Sequence, residues 1–424
     1  MIPLAWDEIA GLELGGLEGR PEGGTITGIK ADSREVAPGD LFVALNTGVR
    51  FVAEARARGA ATLVPDGQEA ALASLASLVR SRSEAHVVAV VGSAGKTSTK
   101  DILGALCAPH VPTLWAERSL NNEIGVPLTL CRLEPETRVL VTELGMRGLG
   151  QIAALCAIAR PQITVVSHIG PEHLELVGTT ERVAEANAEA IAALPPGGTA
   201  VVPAAARELE PYLGREDVVL RRFAAAELEF EDGHGRFRVG EETVELDLPF
   251  SQRYQALNTL AALHAYDALG LPLDRAQEGA EAIRLSPWRG EELELPGGGL
   301  VINDAYNANP DSMRAALLHL AERAQGRRRV AILGEMAELG EHADAYHRDV
   351  AALVHELEVE VIGVGEPAAS YGATVLVADA GEAVAAARNL VRPGDAVLVK
   401  ASRTVGLEGI ADEIANFAHE WSRS

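Results

Sequence analysis

The sequence predicts an α/β protein of three domains: a small N-terminal α/β domain, a central parallel sheet of the P-loop, mononucleotide-binding type, and a C-terminal doubly wound, Rossmann-like sheet. Three observations lead there. A chain of 424 residues is longer than one hydrophobic core organises, so it divides. Apolar, β-branched runs alternate with helical patterns through most of its length, the signature of parallel strands covered on both faces. One such run, residues 87–91, ends in Gly92-Ser93-Ala94-Gly95 followed by Lys96, Thr97 and Ser98. The expected domains are 1–83, 84–290 and 291–424.

In the first unit, residues 40–45 and 60–64 read as strands on either side of the helical pattern FVAEARARGA. A stretch rich in Ala, Leu, Ser and Arg, residues 69–83, is expected as a helix leading into the next unit. The second unit offers strands at 87–91, 138–143, 162–168 and 200–203, with helices from Thr97 and Thr180. Between 227 and 248 the pattern changes to ELEFEDGHGRFRVGEETVELDL, a period-two alternation broken by glycine turns. It reads as an antiparallel meander padding the sheet edge. The third unit repeats the α/β rhythm with LVINDAY, RVAILG, EVIGVG, ATVLVAD and AVLVK as strands. In a doubly wound sheet the functional residues lie beyond the carboxyl ends of the strands, where Asp304, Glu335 and Lys400 fall.

Composition narrows the function. The formal net charge of −24 opposes general binding to nucleic acid, whose phosphates would be repelled. No apolar run approaches the ~20 residues of a membrane helix, and the acidic start MIPLAWDEIAG lacks the form of a secretory signal, so no membrane insertion and a cytoplasmic location are expected. Cys107, Cys131 and Cys156 lack paired spacing and read as buried small hydrophobes.

The glycine turn after residues 87–91 is arranged for a nucleoside triphosphate, ATP. Backbone N–H groups and the positive end of the following helix face phosphate oxygens. Lys96 adds a mobile cation, and Thr97 a hydroxyl for the Mg²⁺ that ATP carries. The loop is shorter than the commonest phosphate loop, which has a glycine where Val90 stands. Strand 138–143 delivers Glu143 to its carboxyl end, placed for the same magnesium. Strand 162–168 is followed by His168 and His173, and His173 is a candidate ligand for a second metal ion. Arg289, in SPWRGE at a domain junction, is a candidate γ-phosphate contact that couples chemistry to closure. NNEIGVP, from Asn121, has the look of turn and cap chemistry. The loop NDAYNANPDSM, from Asn303, has more hydrogen-bonding side chains than a helix cap needs.

Nine segments in order, DSREVAPGDLFVAL (from Asp32), GSAGKTST, NNEIGVP, TELG, HLE (from His173), ALNTLAA (from Ala256), DAYNANPDSM, GEMAELG (from Gly334) and VKASR (from Val399), resemble the Mur ligase family over nearly the whole chain. YNANPDSM and GEMAELG look like the branch that adds a dipeptide. The resemblance implies ATP-dependent amide formation between UDP-N-acetylmuramoyl-tripeptide and D-alanyl-D-alanine through an acyl phosphate, by a monomer. The three domains would take the UDP end, ATP and the amine in that order.

By position, the resemblance has residues 92–98 hold the triphosphate, with Thr97, Glu143 and His173 as metal ligands. It puts Asn258 on adenine, Asp304 on ribose and Arg289 on the γ-phosphate, with Lys96, Glu143, His173 and Arg289 as the catalytic set. Ser33 and Arg34 would lie near the uridine diphosphate, and Asn307, Lys400 and Arg403 would face substrate from the third domain.

This chain departs from the family at several places. Asn187, in VAEANAE, stands where many members carbamylate a lysine; Asn187 itself, Glu185 or Glu189 would then serve the second metal. Tyr254 and Gln255 replace the usual His-Asn, His168 an asparagine, and Ala401 a glycine, and the first domain lacks part of a loop. Two other readings stay open: a sister ligase adding one amino acid, and a nucleotide-binding regulatory protein without catalysis.

Overall fold

The computed structural model describes residues 1–423. The first sheet runs Gly15–Glu18, Ala61–Pro65, Asp40–Val43, Gly28–Lys30, with the first pair antiparallel and the others parallel. Its two inner strands and the helix Gln68–Ser81 fall where the sequence puts them. The outer strands are short and glycine-bearing, and so carried no periodic signal.

The central sheet is six parallel strands in the order Val219–Phe223, Thr199–Pro203, Ile163–Val166, His86–Val91, Val139–Glu143, Thr113–Trp115. Residues 87–91 are all buried, which removes the period-two pattern and leaves the continuous apolar run. After this strand the chain builds the sheet first to one side, with Thr113–Trp115 and Val139–Glu143, and then crosses to Ile163–Val166 on the other. That reversal opens a crevice at the strands' carboxyl ends. The phosphate loop, Glu143 and His168 therefore meet there because their strands are neighbours.

The antiparallel meander is present as Leu228–Glu231, His234–Val239 and Glu242–Asp247. It does not pad the sheet edge. Phe237, Val239 and Leu246 share a core with Leu260, Leu263 and Tyr266 of helix Arg253–Ala268, which in turn packs on strands Ile163–Val166 and Thr199–Pro203. That helix is buried over most of its circumference and needs cover on the side away from the sheet, and the meander provides it as a third layer.

The third sheet runs Glu291–Leu295, Gly299–Asn303, Ala396–Lys400, Arg329–Leu333, Val359–Val364, Val375–Val377. Only its first pair is antiparallel. That edge strand, EELEL, did not show in the sequence, since its acidic alternation reads equally well as a solvated loop.

Candidate active site

Helix Lys96–Cys107 starts at Gly95, whose φ of +80° favours glycine; a Cβ there would stand 2.4 Å from Asn258 Oδ1. No side chain caps this helix, so its first N–H groups are open to an anion. Ser93, Ala94, Gly95, Lys96, Thr97 and Ser98 all line a cleft of about 770 Å³. Gly92 does not line it. Its N–H donates to Asn187 Oδ1 at 2.6 Å, and a Cβ would meet Ser167 Oγ at 2.5 Å, so Gly92 packs the loop against the sheet and its N–H is already taken.

Asn187 is thereby committed to backbone, with its amide donating to Val183 O at 2.8 Å. Glu189 accepts from Gly150 and Ala153 N–H groups, and Glu185 is not part of the cleft wall. None of the three is arranged as the substitute metal ligand that the family position suggested.

Around the loop the side chains interlock. Thr97 Oγ1 donates to Glu143 Oε2 at 2.7 Å, Asn121 Nδ2 donates to Glu143 Oε1 at 2.7 Å, and Arg289 Nη2 donates to Thr97 Oγ1 at 2.7 Å. Arg289 stacks its guanidinium 3.9 Å from the centroid of Tyr306, whose hydroxyl bonds Ser119. Glu143 is 1% exposed, yet no Lys, Arg or His pairs with it among the described residues. A carboxylate that deep beside a hydroxyl and an amide fits a hard divalent cation completed by phosphate oxygens and water. Lys96 Nζ lies 3.0 Å from Glu172 Oε1 and also bonds Gly92 O.

His173 is in the left-handed region at φ +51°, and its Nδ1 bonds Glu338 of the third domain; Nε2 lies 3.7 Å from Glu172 Oε1. Glu338 therefore holds the ring, with Glu172 nearby, and no hydrogen bond joins it to the Thr97–Glu143 pair. His168 Nε2 pairs with Asp311 Oδ2 at 2.9 Å, also across the domains.

Asn258 donates to Gln255 Oε1 at 2.9 Å, and Gln255 to Arg289 O at 3.2 Å, joining the expected adenine and γ-phosphate contacts. Tyr254 lines the cleft with its hydroxyl buried and unpartnered, and burial pushes its phenol well above the usual range.

Lys400, expected to face substrate, is 2% exposed and clamped: its Nζ reaches Asp304 Oδ2 at 2.6 Å and Asn307 O at 2.9 Å. It holds the loop that carries Asp304 and Asn307, because an ammonium this buried requires a partner. Arg403 pairs with Glu408 at 2.9 Å and lies 4.8 Å from the Trp288 ring centroid. Ser33 and Arg34 are outside the cleft wall; Arg34 is largely exposed and forks onto Asp32. Glu172, Asn121, Tyr306 and Glu338 escaped the sequence reading as site residues. Glu172 and Asn121 had a signal, since each stands in a polar cluster beside a predicted strand end or helix start.

Strand order, open helix terminus and buried carboxylate define a nucleoside-triphosphate enzyme whose third domain contacts the phosphate loop. The Mur ligase middle domain matches residues 90–266, and the Mur ligase glutamate ligase domain matches residues 288–403. The chain belongs to the Mur ligase family. It is 32% identical to the UDP-N-acetylmuramoyl-tripeptide–D-alanyl-D-alanine ligase of Synechocystis sp., with 92% of each chain covered. To the enzyme of the same name from Escherichia coli it is also 32% identical, covering 86% of this chain and 87% of that one. Among solved structures, MurF from Acinetobacter baumannii superposes with a TM-score of 0.85 at 28% identity, covering 98% and 99% of the two chains. MurF from Thermotoga maritima in complex with ADP gives 0.80 at 27% identity, covering 93% and 98%.

Proposed function

We propose that the chain is an ATP-dependent ligase that joins D-alanyl-D-alanine to UDP-N-acetylmuramoyl-tripeptide, acting as a cytoplasmic monomer with Mg²⁺. The observation that carries this reading is the chain of contacts Glu143–Thr97–Arg289–Tyr306, which ties a triphosphate loop to the third domain. The names of relatives similar over nearly their whole length supply the substrates.

In the first step a terminal carboxylate oxygen of the tripeptide attacks the γ-phosphorus. The bond to the β–γ bridging oxygen breaks and ADP leaves. Two unit charges 4 Å apart repel by ~1 kcal/mol in water and ~4 kcal/mol at an effective dielectric of 20, and ATP multiplies this. Lys96 and Arg289 are the cations that offset it. Binding of the phosphates displaces Glu172 from Lys96. Thr97 and Glu143 are the residues that would hold Mg²⁺, which supplies further neutralisation of the transferring phosphoryl group.

In the second step the dipeptide amine attacks the acyl carbon. The carbon–oxygen bond to phosphate breaks, phosphate leaves and a proton is released. Closure of the third domain orients the amine and keeps water from the acyl phosphate. The test is ADP release from ATP and UDP-N-acetylmuramoyl-tripeptide, with and without D-alanyl-D-alanine. Release that requires the dipeptide is expected. Equal release with single amino acids, or none with any amine, overturns the reading.

A further inference from the structure

The third domain touches the phosphate loop itself at one buried side chain. Asn309 is 8% exposed and serves two elements at once. Its Oδ1 accepts from Ser312 N–H at 2.9 Å, capping helix Pro310–Ala324, while its Nδ2 donates across the domain boundary to Ser93 O at 3.3 Å. Ser93 is held from the other side too, its N–H donating to His168 O at 2.9 Å. A peptide unit is planar and trans, so fixing the Ser93 carbonyl fixes the opposite direction of the Ala94 N–H. Ala94 lines the cleft, and among the described residues its N–H has no protein acceptor. The orientation of one unpartnered donor in a cleft-lining residue is thus tied to a residue of another domain.

We propose that Asn309 is a positioning residue for the ligation: its amide makes the phosphate-loop geometry depend on closure of the third domain, so that the loop reaches its reactive arrangement only when the amine-carrying domain is seated. Other contacts between the domains, among them His168 with Asp311, His173 with Glu338 and Tyr306 with Ser119, reach residues flanking the loop and not its backbone. The inference rests on the ligase reading above.

Two substitutions separate the cap from the cross-domain bond. Asn309→Asp and Asn309→Ser each keep an oxygen for Ser312 N–H, as both are good N-cap residues, and neither has the amide that reaches Ser93. Serine adds no charge, so it controls for repulsion between aspartate and ATP. Both variants are expected to lower kcat about tenfold, the scale of one lost hydrogen bond in a buried site. The Kd for ADP, measured calorimetrically, should stay within about twofold and Tm should be unchanged. A wild-type kcat in the serine variant overturns the proposal. So does an ADP affinity that falls in step with kcat, which would put the amide in nucleotide binding, or a lowered Tm that accounts for the loss through the cap. A wild-type enzyme that releases no ADP with all three substrates present would sink the ligase reading instead.

Discussion

The phosphate loop and the loop at 304–309 are the same topological unit, a buried parallel strand, a turn and a helix, and both line the cleft, but they treat the helix start in opposite ways. After His86–Val91 the helix begins at Gly95 with no side-chain cap, and Lys96 reaches into the cleft. After Gly299–Asn303 the helix begins at Asn309, which closes its own N-terminus with Ser312, and the nearby Lys400 is buried against Asp304. An open terminus keeps its N–H groups and its positive end for an anion; a closed one has used them internally. The same fold element becomes a ligand site or a strut according to the residue at one position.

Lys96→Ala should break the first half of that comparison most visibly. The substitution removes the cation that offsets phosphate charge, so kcat for ADP release should fall by about a thousandfold or more, the upper scale for losing one preorganised electrostatic group. Tm should fall as well, since Glu172, 9% exposed, loses the cation that pairs with it. Unfolding with retained turnover would mean that Lys96 is the strut.

Lys400→Met tests the other half. It leaves the Asp304 carboxylate, partly buried in the cleft wall, without its cation, which costs about 2 kcal/mol of stability. Calorimetry should show this as a lowered Tm of the transition that includes the third domain. Unchanged stability with a raised KM for D-alanyl-D-alanine would return Lys400 to the substrate-facing role that its position in VKASR suggested.

The two lysines also show what a sequence discloses. Gly95, Lys96 and Thr97 were legible because the turn and the helix start lie within a few residues of the strand, and Glu143 because a strand end fixes its place. Lys400 looked equivalent, in a polar segment after a buried strand. Nothing local says that Asp304, from a neighbouring strand's end, is aimed at its Nζ. The Asn309 amide and the Tyr306 ring act on residues of a different domain, and side-chain direction across a domain boundary follows from docking, not from periodicity. The edge strands Gly15–Glu18 and Glu291–Leu295 were missed because, half-exposed and short, they carry little apolar signal, whereas the edge strand Val375–Val377 was legible in the apolar run ATVLVAD.

Both loops sit in one frame because Glu292 joins the second and third domains. It accepts from Ser251 Oγ at 2.6 Å, His319 Nε2 at 2.8 Å and Arg323 Nε at 3.0 Å. Burial alone would push its carboxyl up, but the hydrogen bonds from His319 and Ser251 and the charge of Arg323 outweigh it and hold it at about 2. With the folded value below the ordinary 4.5, the contribution to stability is complete above that pH and is lost as pH falls through about 2. Between pH 5 and 2, therefore, Glu292→Gln should flatten the fall of Tm by a share worth about 2 kcal/mol. Parallel acid profiles of the two proteins would remove Glu292 from the junction's energetics.

The smallest effect is expected in the first domain, where no loop of either kind is built. The Arg34 guanidinium forks onto Asp32 and holds its carboxyl down at about 2, in a pair open to solvent. Such pairs add little to folding because water already solvates both ions. Arg34→Ala should therefore leave Tm and the KM for ATP unchanged. If the segment reads the uridine diphosphate, the KM for UDP-N-acetylmuramoyl-tripeptide should rise about fivefold, through loss of one charge-assisted contact to a phosphate. An unchanged KM for all three substrates would show that an arginine outside the cleft wall, beside an aspartate it already satisfies, has no charge to spare for a ligand. The contrast drawn from Lys96 and Lys400 would then extend to a third case, a cation whose partner is already supplied by the chain.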